Sequence, residues 1–204
     1  MADSKTEIVN LALSHLGVAT VIANFDSDQG PEAATARVFY NLARKNVLRD
    51  INWPFARRDN ISLALIEEFS SDEEYKYSYT YPANCLKFIR VLSDIRTDNR
   101  QSRVTFKISS SGTSKILYTD RETAKCEYIF DEENTLLFPI DFDLCLSYKL
   151  AAFMAPRLTA GDPFKLGPKA NENYLIELSI AAANSSNEEQ PDEEVESEFQ
   201  RDRY

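Results

Sequence analysis

The chain has 204 residues, 43% of them hydrophobic and 27% charged, with 12 Phe, 10 Tyr and a single Trp. That is an ordinary globular composition, with enough large apolar side chains for a real core in one large domain or two small ones. The net charge of −10 argues against DNA binding as a main role, because the phosphate backbone repels an acidic surface.

The longest apolar run, Leu150 to Ala155, falls far short of the roughly 18 to 20 residues of a membrane helix, so no membrane anchor is expected. The N-terminus shows no basic stretch followed by an apolar one, and no secretory signal is expected either. Cys85, Cys126 and Cys145 are odd in number and far apart, which points to buried free thiols in a reducing cytosol rather than a disulfide framework.

Ser4 and Glu7 have capping-box spacing, Ile8, Leu11, Ala12 and Leu16 follow at helical intervals, and Gly17 is a plausible stop. A polar turn, Asp26 to Gly30, leads to Pro31, which suits the first turn of a second helix. That helix carries Ala34, Val38, Leu42, Val47, Leu48 and Ile51 on one side and is expected to end at Trp53-Pro54. The pattern then changes. Ile61, Leu63 and Leu65 alternate with other residues, as do Tyr75, Tyr77, Tyr79 and Tyr81 up to Pro82. Further strand-like pieces are 86–92, 104–108, 115–119 and 124–130, an antiparallel sandwich or barrel pattern. Helical spacing returns after Pro139, with Pro156 expected to kink or shorten the third helix. A loop from Gly161 to Pro168 precedes a fourth helix with Tyr174, Leu175, Leu178 and Ala182 on its stripe.

The expected fold class is therefore α+β: a helical bundle built from residues 1–58 and 137–184, with an antiparallel β domain, 59–136, inserted between its halves. Residues 185–204 hold eight acidic and two basic residues, a composition that does not fold alone. They read as an extended tail docking on a partner subunit, with Phe199 and Tyr204 as anchors.

Catalytic chemistry is sparse. His15, the single histidine, lies beside Ser14, and adjacent helical residues do not face each other, so it reads as a satisfied helix histidine. One His and no C-x-x-C exclude a metal site built on Cys or His pairs, and the five glycines are too scattered for a phosphate loop. Asp26-Ser27-Asp28-Gln29-Gly30 starts like a calcium loop, but Arg37 occupies the place of the bidentate Glu. No cofactor is expected. The carboxylate pairs Glu67–Glu68, Asp72–Glu74 and Asp131–Glu133 could serve a peptidoglycan-degrading tail hydrolase, though such runs are usually solvated loops. The tyrosine row could serve a carbohydrate- or protein-binding module, though such a row more often covers a sheet. Arg37, Arg44, Lys45 and Arg49, followed by Arg57 and Arg58, read as a solvated helix face or as a contact for an acidic partner.

An ordered set of motifs resembles a known family. Ile8-Val9-Asn10-Leu11-Ala12-Leu13-Ser14-His15-Leu16-Gly17 is followed by Phe39-Tyr40 and by Trp53-Pro54-Phe55-Ala56-Arg57-Arg58. Tyr81-Pro82-Ala83-Asn84-Cys85-Leu86 and the stretch from Phe142 through Leu158 complete it. Across most of residues 7–160 this resembles the head-to-tail adaptors, or tail tubular protein A, of short-tailed bacteriophages. The resemblance implies a non-catalytic virion protein at the head–tail junction, made in the host cytoplasm. Its partners would be a homo-oligomeric ring, dodecameric in that family, the portal protein and the tail nozzle protein, with DNA passing through without specific binding. Trp53, Phe55, Tyr81 and Pro82 are expected to hold the junctions between helices and β domain.

Overall fold

Ser4 opens the first helix, α1 (Lys5–His15), by accepting the Glu7 amide on its hydroxyl at 3.3 Å. In this computed structural model, which describes residues 4–68, 74–93 and 103–188, α1 buries Ile8, Val9, Ala12 and Leu13. Gly17 follows at φ +68, a left-handed conformation that ends helices and that a Cβ disfavours. The next loop lies on α1: the Asn10 side chain exchanges two hydrogen bonds with the Ile22 backbone, at 3.0 and 2.9 Å. The second helix, α2 (Pro31–Asp50), starts from Gly30 with Pro31 in its first turn. It ends four residues before Pro54, where Ile51 turns extended at φ −127. Pro54 instead begins a single helical turn, Pro54–Ala56.

The third helix, α3 (Ile140–Leu158), is the centre of the helical part and contacts α1, α2 and the fourth helix, α4 (Leu166–Glu188). Its Phe142, Cys145, Leu146, Leu150, Ala151 and Met154 are fully buried. Pro156 neither stops nor shortens α3 beyond its last turn, since the helix runs on to Leu158. A proline so close to the end denies a donor only to the Ala152 carbonyl. Gly167 of α4 packs at that place: a Cβ there would lie 3.2 Å from the Ala152 oxygen. Asp162 caps α4, accepting the Leu166 and Gly167 amides at 2.6 and 2.8 Å. The expected tail begins inside this helix, because 185–188 form the last turn of α4; 189–204, with Phe199 and Tyr204, lie outside the described residues.

Between α2 and α3 the chain builds β1 (Arg57–Ser62), β2 (Leu65–Glu67), β3 (Tyr77–Thr80), β4 (Cys85–Val91), β5 (Phe106–Ser111), β6 (Ser114–Thr119) and β7 (Lys125–Phe130). All described pairings are antiparallel, in two sheets ordered β1-β7-β4 and β2-β3-β6-β5. The protein is α+β, with helices at both ends and strands between. The alternating run through Ile61, Leu63 and Leu65 is not one strand but a crossing between sheets. Leu63 donates its amide to Ala124 at the edge of β7, while the next carbonyl, Ala64, accepts from Thr80 of β3. A two-residue turn, Gly112-Thr113, joins β5 to β6, with Gly112 at φ +59.

Two apolar cores result. The larger unites the helices and reaches the first sheet through buried Ile129, with Leu86 and Ile89 packed against it. The smaller lies between the sheets and holds Tyr77, Tyr79, Val91, Leu117 and Ala124. Phe88 of β4 meets Phe106 of β5 across it, their rings 4.9 Å apart.

At the neck where the chain leaves and re-enters the helices, four aromatic rings interlock. Trp53 meets Phe142 edge-on at 5.0 Å, Phe55 lies 5.0 Å from Phe142 and 5.5 Å from Phe138, and Phe138 meets Phe142 at 4.5 Å. The Trp53 indole donates to the Val47 carbonyl at 2.8 Å. Removing the central ring by Phe142→Ala should cost about 3–5 kcal/mol of stability, read as a lowered urea midpoint.

Burial pushes the thiols of Cys126 and Cys145 up from their ordinary value near 9 to about 12. Their contribution to stability is complete below about pH 9 and is lost between about 9 and 12, because only the unfolded chain ionises them readily. Urea unfolding at about pH 8 and about pH 10.5 should show the decline. Cys145→Ala should make that pH slope shallower.

Candidate functional site

The basic residues of α2 separate into distinct roles. Arg37 closes the loop before its own helix, donating from Nη1 to the Phe25 and Asp28 carbonyls at 2.7 and 2.8 Å. Arg44, expected on a solvated or partner-facing surface, is only 1% exposed. Its guanidinium binds the segment that returns from β7 to the helices: it pairs with Asp131 at 2.8 Å and Glu133 at 3.1 Å and donates to the Glu132 carbonyl. Lys45 takes the other oxygen of Asp131 at 2.9 Å while staying half exposed. Of the expected basic face, Arg44 turns inward and Arg37 serves its own loop, while Lys45 and Arg49 remain exposed. Helical spacing placed these residues on one helix, but it could not show that an acidic segment 87 to 89 residues later would return to the same spot.

The same placement corrects the solvated-loop reading for Asp131 and Glu132, while Glu133 stays 69% exposed. Asp131 is held by Arg44 and Lys45, and Glu132 receives Arg58 at 2.9 Å and the Asn134 amide at 3.1 Å. Tyr40, one turn before Arg44, is buried beside the clamp. Burial raises its phenol well above the ordinary range, with the Arg44 charge opposing.

Trp53 and Phe55 sit at the neck, as described. Tyr81 and Pro82 lie elsewhere, in the turn between β3 and β4 that links the two sheets. The Tyr81 ring lies tilted 6.0 Å from Phe88 beneath the Lys115 ammonium, and its hydroxyl accepts from the Cys85 thiol at 3.2 Å. Burial raises its phenol pKa, while the nearby Arg49 charge pulls it down.

His15 has a partner that sequence proximity could not supply. Its Nε2 lies 3.1 Å from the Ser147 hydroxyl on α3, and its ring stacks on Tyr148 at 3.9 Å. The Ser147 hydroxyl also donates to the Leu144 carbonyl of its own helix at 2.7 Å. Ser147 is also fully buried, beneath a cleft of about 190 Å³ lined by His15, Tyr148, Leu166, Lys169, Ala170 and Asn173. Burial lowers the His15 pKa. The pair joins α1 to α3. Among the tyrosines, Tyr77 and Tyr79 are buried in the smaller core, and the Tyr79 hydroxyl reaches the Arg121 and Glu122 carbonyls at 2.5 and 2.6 Å. Their rings are core and offer no stacking platform. Glu67 and Glu68 are exposed on and beside the short β2.

What the described surface does offer is apolar area on the outer helices. Val38 and Leu42 of α2 are 58% and 52% exposed, and Ile176 and Ile180 of α4 are 57% and 47% exposed, with Leu175 also open to solvent. Each pair is four residues apart and so shares one helix face. Leu136, Leu137 and Ile140 are exposed at the start of α3. No described helix is long and apolar enough to cross a membrane. In comparisons with known proteins, no family model and no curated protein matches the chain.

The two arginines of α2 should behave oppositely. Arg44→Ala leaves Asp131 to Lys45 alone and takes the guanidinium from the Glu132 carbonyl, and should cost about 1–3 kcal/mol, whereas Arg49→Ala, at the surface, should stay within about 0.5 kcal/mol. Paired urea titrations measure both.

Proposed function

We propose that the chain is a structural virion protein, one subunit of a head-to-tail adaptor ring of a short-tailed bacteriophage. In this reading the ring links the portal to the tail nozzle, forms part of the DNA channel, and works by assembly with no cofactor. The observation that carries it is the pair of exposed apolar faces on α2 and α4. Contiguous apolar side chains left in water mark surfaces that another protein covers, and two different faces on one subunit are what a head-to-tail ring requires. The ordered motifs that resemble the adaptor family support the same reading. So does the charge: an acidic channel wall lets phosphate pass without adhering.

The acidic residues after α4 are assigned to docking on a partner ring. Their ordering costs conformational entropy that contact with a preformed surface must exceed, so binding is conditional on that surface. Electron microscopy of the chain mixed with the portal protein of the same genome tests this. A second ring should stack on the portal, and it should be lost when residues 189–204 are deleted, a truncation that leaves α4 whole. A portal that stays bare at every salt and protein concentration would overturn the adaptor role.

A further inference from the structure

The cleft of about 190 Å³ above Ser147 gathers polar groups from three helices: His15 closes α1, Tyr148 belongs to α3, and Lys169 and Asn173 to the first turns of α4. None of its lining residues is acidic. Among the described residues Lys169 makes no ion pair and the Asn173 side chain no hydrogen bond. Glu172, three positions beyond Lys169, neither lines the cleft nor pairs with that lysine. The His15 ring is fixed by Ser147 at Nε2 and by Tyr148 against its face, and its Nδ1 has no hydrogen-bond partner among the described residues.

We infer that this cleft binds a carboxylate, carried by a small free acid or by an acidic side chain of another protein chain. Size limits the ligand first, since drug-sized molecules occupy roughly 300–1,000 Å³. Charge then selects among small groups. Lys169 supplies one permanent positive charge, which balances a monoanion; a phosphate ester, at about −1.5 to −2 near neutral pH, would be left undercompensated. The Asn173 amide can donate to a second oxygen, and Leu166, Ala170 and the Tyr148 ring offer apolar contact to a carbon stem. A carboxylate only accepts hydrogen bonds, and the imidazolium, with a proton on each nitrogen, both donates to it and attracts it. Burial holds His15 toward its neutral form, so uptake of the anion is linked to uptake of a proton. A bound carboxylate raises the His15 pKa, and its affinity rises as pH falls. The titratable groups that line the cleft with His15 are Tyr148 from α3 and Lys169 from α4. The site is independent of the adaptor role.

His15 is the single histidine, so its imidazole resonances report on this cleft alone. They should be followed by NMR as the full chain is titrated with sodium acetate, with ionic strength held constant by chloride. The shifts should saturate, the His15 pKa should rise with acetate and not with chloride, and acetate should bind more tightly at about pH 5.5 than at about pH 7.5. Lys169→Gln and Asn173→Ala should each weaken acetate about fivefold, the loss of one hydrogen bond. Lys165→Gln, which removes the same charge just before α4 and outside the cleft, should leave binding unchanged. A synthetic peptide of residues 189–204 separates the two sources. Saturation at far lower concentration than acetate makes the ligand an acidic protein segment; a need for as much or more makes it a free acid. A His15 pKa indifferent to both probes, chloride acting as well as acetate, or Lys169→Gln binding like the wild type overturns the site.

Discussion

Arg44 projects from the third quarter of a long helix into the interior and meets the acidic segment by which the chain comes back from its sheets. A guanidinium can serve several acceptors from one rigid plane. Here it holds the carboxylates of Asp131 and Glu133 and the backbone carbonyl between them. Burying such a charge is costly unless every side of it is satisfied. The return segment is therefore constrained to pass at this one place.

The aromatic neck is the apolar counterpart of that clamp. Trp53 and Phe55 belong to the departing chain, Phe138 and Phe142 to the returning one. Their packing ties the two crossings together beside the ionic contact. Arg58 and Glu132 form a further link from β1 to the same return segment. The first sheet is thereby fastened to the helices, and Ile129 puts part of it into their core. The second sheet is attached mainly through the first, by the tyrosine-lined core between them. With the packing centred on the neck and α3, the outer sides of α2 and α4 keep Val38, Leu42, Ile176 and Ile180 exposed.

Much of this layout was legible in local pattern. The Ser4–Glu7 cap, Pro31 at the start of a helix, and the run of short strands between two helical regions all express backbone chemistry that acts over a few residues. The errors arose where that chemistry is overruled by distance. Pro156, expected to kink or shorten the third helix, sits two residues before its end, where it leaves the Ala152 carbonyl without a donor. The run through Leu63 looked like one strand, yet it divides because its successive backbone groups find partners in different sheets. Arg37 and Arg44 looked like neighbours on a basic face, and the fold turned one to a loop and the other to the interior.

By itself, the sequence determined the α+β class, the succession of two helices, a strand-rich middle and two helices, and the approximate place of β3 to β7, since these depend on propensity, capping and short periodicities. Tertiary structure alone decided which charges are spent inside the molecule and which remain outside. The partner of Arg44 lies nearly ninety positions along the chain, and that of His15 lies 132 positions away. No spacing rule reaches so far, because contacts at that separation exist only after helices and sheets have closed on one another. The apolar stripe read as a core face on α2 shows the same limit: Val47 and Leu48 went into the core while Val38 and Leu42 stayed in water, because α3 covers one side of α2 and nothing described covers the other.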